Sequence, residues 1–133
     1  MFKRQIRLVR AAACCGLLGL AALVAGCSSG AAHPVDPGPA LAALRTTLDA
    51  WKAGRPPDSL KEASPPIVAQ DLEWLSGAKL EGYQIEGEGV PADANLDVRV
   101  RLSLNAKGKK VERDARYLVT TSPALTVFRD MMR

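Results

Sequence analysis

From Leu96 to Leu104 apolar and polar side chains alternate without a break. Leu96, Val98, Val100, Leu102 and Leu104 fall on one side, and Asp97, Arg99, Arg101 and Ser103 on the other. A period of two is that of a strand with one face on a core and one in water, as in antiparallel sheets. The same period predicts a strand from Lys79 to Glu86, with Tyr83 and Ile85 on one face, and another from Lys109 to Thr120. Gly87 to Ala94 reads as a loop, Asn105-Ala106-Lys107-Gly108 as a turn, and Leu125 to Phe128 as a last strand after the turn Thr121 to Ala124. Earlier in the chain the period is 3.6. Leu41, Leu44, Leu48 and Trp51 form one stripe of a helix predicted over Ala40 to Ala53, stopped by Gly54 and Pro56-Pro57. Ser59 and Glu62 make a capping-box pattern for a short helical turn. Ser64-Pro65-Pro66 then forces an extended path through Ile67, Val68 and Ala69, and Asp71 reads as the N-cap of a second short helix holding Leu72, Trp74 and Leu75. The fold class is α+β: one long N-terminal helix and short helical turns packed on a four-stranded antiparallel sheet, in a single domain from 40 to 133.

Charge predicts a register for the central hairpin. If Leu104 pairs with Lys109 across a four-residue loop, Arg101 faces Glu112, Arg99 faces Asp114 and Asp97 faces Arg116. Each such pair is worth roughly 0.2 to 1 kcal/mol. A shift of two residues sets Arg99 against Arg116, so the first register is expected. It also places Arg113 on the inner face opposite Val100, which implies a sheet edge, a buried ion pair or a bulge.

Ahead of the domain, Met1 to Arg10 carries Lys3, Arg4, Arg7 and Arg10 and no acid, and Ala11 to Ala25 is apolar throughout. A basic segment, an apolar run and small residues at a cut are the parts of a secretory signal. The run is shorter than the roughly 20 residues a spanning helix needs. Leu23-Val24-Ala25-Gly26-Cys27 closes it and resembles the lipobox of bacterial lipoproteins. That resemblance implies removal of residues 1–26, lipid on the Cys27 sulfur and anchorage of the chain to a membrane. Ser28 follows the cysteine where an aspartate commonly retains lipoproteins at the inner membrane, which resembles an outer-membrane address in a cell with two membranes. Residues 27–39, rich in Ser, Gly, Ala and Pro, are expected to be a flexible tether.

Cleavage changes the charge and the redox chemistry. The chain has 18 basic and 14 acidic residues, a net of +4. Removing Lys3, Arg4, Arg7 and Arg10 leaves 14 basic residues against the same 14 acids, so the mature chain is neutral and loses its one argument for a nucleic-acid partner. Of the three cysteines, Cys14 and Cys15 leave with the signal and Cys27 is consumed by lipid, so no thiol is left for a disulfide, a metal or catalysis. His33, the single histidine, lies on the tether without partners for metal or acid/base work.

Several stretches taken together are similar to a group of small, uncharacterised bacterial lipoproteins and exported proteins. They are Trp51-Lys52-Ala53-Gly54, Ser64-Pro65-Pro66-Ile67, Asp71 with Trp74, Leu80 to Ile85, and Thr121-Ser122-Pro123 with Thr126-Val127-Phe128-Arg129. The resemblance implies a cystatin-like or nuclear-transport-factor-like layout and carries no activity. The chain shows no nucleophile elbow, phosphate loop, metal-ligand cluster or cofactor fingerprint. A noncatalytic, anchored binding or envelope-assembly module is therefore expected, with an envelope protein as partner and the Gly87 to Ala94 loop and exposed sheet face as its contact surface. The alternative is a small enzyme or ligand-binding protein with a pocket between helix and sheet, lined by Arg113, Tyr83, Tyr117 and Asp71. No cofactor and no catalytic residue is assigned. Trp51 on the core stripe reads as packing rather than as a ligand-stacking residue.

Overall fold

In a computed structural model, residues 33–132 are described. Residues 1–26, Cys27 and the first part of the tether lie outside the described residues. The helix α1 spans Pro37–Lys52, β1 Ile67–Gln70, α2 Leu72–Leu75, β2 Lys79–Ala92, β3 Asn95–Ala106, β4 Lys109–Thr120 and β5 Leu125–Arg129, with a 3-10 turn at Pro57–Glu62. The fold is α+β, with helices packed on one sheet in the order β1-β5-β4-β3-β2. Leu44, Leu48 and Trp51 of α1 are buried together with Leu96, Val98, Val100, Leu102 and Leu104 of β3, because a helix stripe and a strand face both need an apolar partner.

Three expectations are corrected. The first concerns the helix: α1 has 16 residues and begins at Pro37, so it is a helix of about four turns rather than a long N-terminal one. It starts earlier than Ala40 because the Asp36 carboxylate accepts from the Gly38 amide at 3.1 Å, with Pro37 in the first turn. Val35 is already buried, so the body takes in the end of the tether stretch.

The second concerns the sheet, which has five strands. The extended path after Pro66 is itself a strand, β1, pairing in parallel with β5 from Ile67 beside Leu125 to Gln70 beside Phe128. The edge of β5 offers unpaired backbone groups, and a short partner that buries Ile67 against Val127 satisfies them. The Gly87 to Ala94 loop is likewise mostly strand. Between Glu86 and Val90 the pairing of β2 with β3 slips by two residues in a glycine bulge. Gly89 sits at φ +80°, and a Cβ there would come within 2.8 Å of the Leu96 side chain, so its backbone lies directly on the core. Bulging and Pro91 also blunt this edge strand against pairing with other chains.

The third concerns register. Ala106 pairs with Lys109 across a two-residue turn, and Arg99 stands beside Arg116. Lys107 at φ 52° and Gly108 at φ 79° give the two left-handed residues of a tight hairpin turn. A shift of two preserves which residues face inward, so the apolar pattern could not exclude it. The shifted ladder pairs Leu104 with Val111 and Leu96 with Val119, and extends to Asn95 beside Thr120. The charges find other partners: Arg101 meets Asp114 at 3.2 Å, and Arg116 reaches diagonally to Asp97.

Candidate functional site

Among the described residues, a buried polar constellation is built on Asp71. The chain leaves β1 at Gln70, and Asp71, in extended conformation, turns it into α2. Its Oδ1 accepts from the backbone amides of Glu73 at 2.8 Å and Trp74 at 3.2 Å, while Oδ2 accepts from the Tyr117 hydroxyl of β4 at 2.7 Å. Arg129, at the end of β5, brings Nη1 to 3.4 Å and 3.5 Å from the two Asp71 oxygens and also pairs with Glu73. Arg113 closes the chain of charges from outside, its Nε 3.1 Å from Glu73 Oε1. Asp71 is 3% exposed and Tyr117 1%.

Burial, followed by the field of Asp71 and the hydrogen bond to it, holds the Tyr117 phenol far above its ordinary range. Burial opposes the charge of Arg129, but the Glu73 hydrogen bond and the Asp71 carboxylate outweigh it and raise that group as well. The arrangement is thus a neutral phenol and a fixed cation holding one carboxylate from two sides. No buried side-chain polar atom among the described residues lacks a hydrogen-bond partner. A carboxylate whose lone pairs are all engaged positions elements; it has none to offer a substrate.

Of the residues anticipated as a pocket lining, Asp71 and Tyr117 meet directly. Arg113 touches only the outer rim, opposite Leu102 rather than Val100. None of the three alternatives for it holds: β4 is an interior strand, its pairing with β3 runs without a bulge, and the ion pair of Arg113 with Glu73 leaves the arginine half exposed. Tyr83 stands apart on the flank of α1, donating to Asp49 Oδ1 at 2.8 Å. Its phenol is pushed up to about 12 by partial burial, then by the hydrogen bond and charge of Asp49. Cys27 lies outside the described residues. Sequence reasoning missed Glu73 and Arg129. Arg129 left a signal, since it continues the inward parity of Leu125 and Val127 in β5, and an arginine in that position needs a buried acid.

Beneath the cluster, the gap bounded by Thr47, Leu48, Trp74 and Tyr117 has no room for one water molecule. The helix and sheet close on each other there, by side-chain packing. Open grooves lie elsewhere. One of about 400 Å³ runs past Trp51 and Trp74, whose rings stack with centroids 5.5 Å apart and planes 14° apart. Their indole N–H groups donate to Ala78 O at 2.8 Å and Arg55 O at 3.0 Å, so the pair fastens the end of α1 to the loops around α2. Another, of about 370 Å³, lies on the outer sheet face between the glycine bulge and Arg99. Among the described residues no group of three His, Cys, Asp or Glu side chains could hold a metal ion, and no helix is long and apolar enough to cross a membrane. In comparisons with known proteins the chain matches no family model, no curated protein and no solved structure.

Proposed function

We propose that the protein is a lipid-anchored, noncatalytic binding or assembly module of a bacterial cell envelope. The observation that carries this reading is the order of basic residues, apolar run and Leu23-Val24-Ala25-Gly26-Cys27 at the head of the chain. Cys27 is the attachment point, and two or more acyl chains there would hold the domain stably at a membrane. With Ser28 next, the address is the outer membrane in a cell that has two. The domain supports the reading through its chemistry: Asp71, Tyr117, Glu73 and Arg129 are spent on one another, and the grooves that remain are surface features suited to a macromolecular partner. A cystatin-like or nuclear-transport-factor-like layout, a helix across a mostly antiparallel sheet, accords with this, and such a layout by itself assigns no activity.

Intact mass and membrane fractionation of the wild type beside Cys27→Ala test the proposal. The wild type is expected to lose residues 1–26, gain the mass of lipid and sediment with membranes, and the variant to leave them. An uncleaved chain of unmodified mass overturns it.

A further inference from the structure

The unpaired charges of this neutral domain are not spread evenly. The chain enters at Val35 and Asp36, where the Asp36 amide donates to Thr121 Oγ1 at 3.4 Å, beside the β4–β5 turn. Acids at or near that end include Asp36 and Asp93 of the β2–β3 turn. The 16 residues of α1 then carry the chain about 24 Å to the opposite end. There Lys52 closes the helix, Arg55 follows it, Lys79 opens β2, Lys107 lies in the β3–β4 turn and Lys109 follows it. The ladder sets Lys79 beside Asn105, two residues from Lys107. None of these five cations has an ion-pair partner among the described residues; of the acids close to them in sequence, Asp49 accepts from Tyr83, Asp58 pairs with Lys61, Glu73 with Arg113 and Arg129, and Glu81 with Lys110.

The Trp51–Trp74 groove lies at this basic end. Its wall is apolar, with the two indoles, Pro56 and Leu75, and Arg55 and Lys79 stand on its rim. Leu75 is 57% exposed, so apolar surface is open to a visitor. We propose that the groove docks an acidic segment of a partner protein, an apolar side chain of the segment lying against Leu75 and the tryptophan edges and its carboxylates against Arg55 and Lys79. Charge complementarity selects the occupant: uncompensated cations around an apolar floor call for alternating acidic and apolar groups. This inference builds on the binding-module reading and adds an orientation. A chain anchored through Cys27 enters the domain at the far end of α1, so the groove lies at the end of the domain remote from the tether.

The test uses the full chain in nonionic detergent micelles and the synthetic peptide acetyl-Glu-Glu-Leu-Glu-Glu-Leu-amide, read by tryptophan fluorescence. Trp51 and Trp74 are the chain's two tryptophans, so the signal reports the groove alone. Saturable binding is expected, weakened at least about tenfold by the double variant Arg55→Glu, Lys79→Glu and by raised salt, and unchanged by Arg45→Glu on α1. The near-ultraviolet circular dichroism of the tryptophan stack verifies that each variant is folded. No binding, equal binding of the double variant, equal binding of a peptide with Gln in place of Glu, or binding only to phosphatidylglycerol vesicles overturns the proposal. Micelle-held protein is tested whether or not Cys27 carries lipid, so failure of the groove and failure of the anchor are separate results.

Discussion

Aspartate meets arginine on both faces of the sheet, and the two meetings differ in kind. On the inner side Asp71 and Arg129 are almost sealed, with 4% and 8% of their side chains exposed, and each has a further partner in Tyr117 or Glu73. On the outer side Arg101 and Asp114 make a 3.2 Å contact with 55% and 81% exposed, in a ladder that also sets Arg99 beside Arg116. The inner charges stand where water cannot replace a lost partner, so every member depends on the others. The outer charges can exchange partners with solvent, so a like-charged neighbour is tolerated at small cost. Burial, rather than the identity of the ion pair, decides which contact holds the fold.

The largest effect that this contrast predicts is at Asp71. Asp71→Ala removes the cap of α2 and leaves Arg129 and the Tyr117 hydroxyl buried with one partner fewer. A loss of about 3 to 5 kcal/mol is expected in urea unfolding. A loss comparable to an outer pair would break the distinction.

Tyr117→Phe is smaller, about 1 kcal/mol near neutral pH, because Arg129 still faces the carboxylate. Its sharper consequence is in alkali. The folded state keeps the phenol protonated above its ordinary value of 10.0, whereas the unfolded chain releases the proton near that value. The contribution is therefore full below about pH 10 and is lost as pH rises beyond it. Unfolding measured at pH 8 and pH 11 should show a steep fall in the wild type and a shallower one in Tyr117→Phe, the remainder coming from Tyr83. Identical slopes would sink the assignment.

The smallest effect belongs to the outer ladder. Asp114→Ala frees Arg101 from a contact whose side chains are 81% and 55% exposed, and should shift the urea midpoint less than either variant above, most of the shift being abolished by about 1 M salt. A larger, salt-insensitive loss would place this pair with the buried kind.

How much of this was legible beforehand follows the range of each interaction. The helix stripe, the strand faces and the capping role of Asp71 are local, and the burial of Leu44, Leu48, Val98 and Val100 answers the periods from which they were read. The two-residue register shift was not legible, because Arg101 finds an acid in either register and pairs worth under 1 kcal/mol do not outweigh a favourable turn. Nor was the site. Tyr117 lies 46 residues from Asp71 and Arg129 lies 58, and no spacing along the chain records such a meeting.

The sequence by itself determined which side of each strand faces inward, where the main helix stops and where the second short helix is capped, since each depends on residues within a turn or a pleat of one another. Tertiary structure alone decided that β1 lies beside β5, that Arg99 stands next to Arg116, and that one buried carboxylate gathers a tyrosine and an arginine from two other strands. These depend on which edges and charges are left to be satisfied once the core has closed, and that balance exists only in the folded chain.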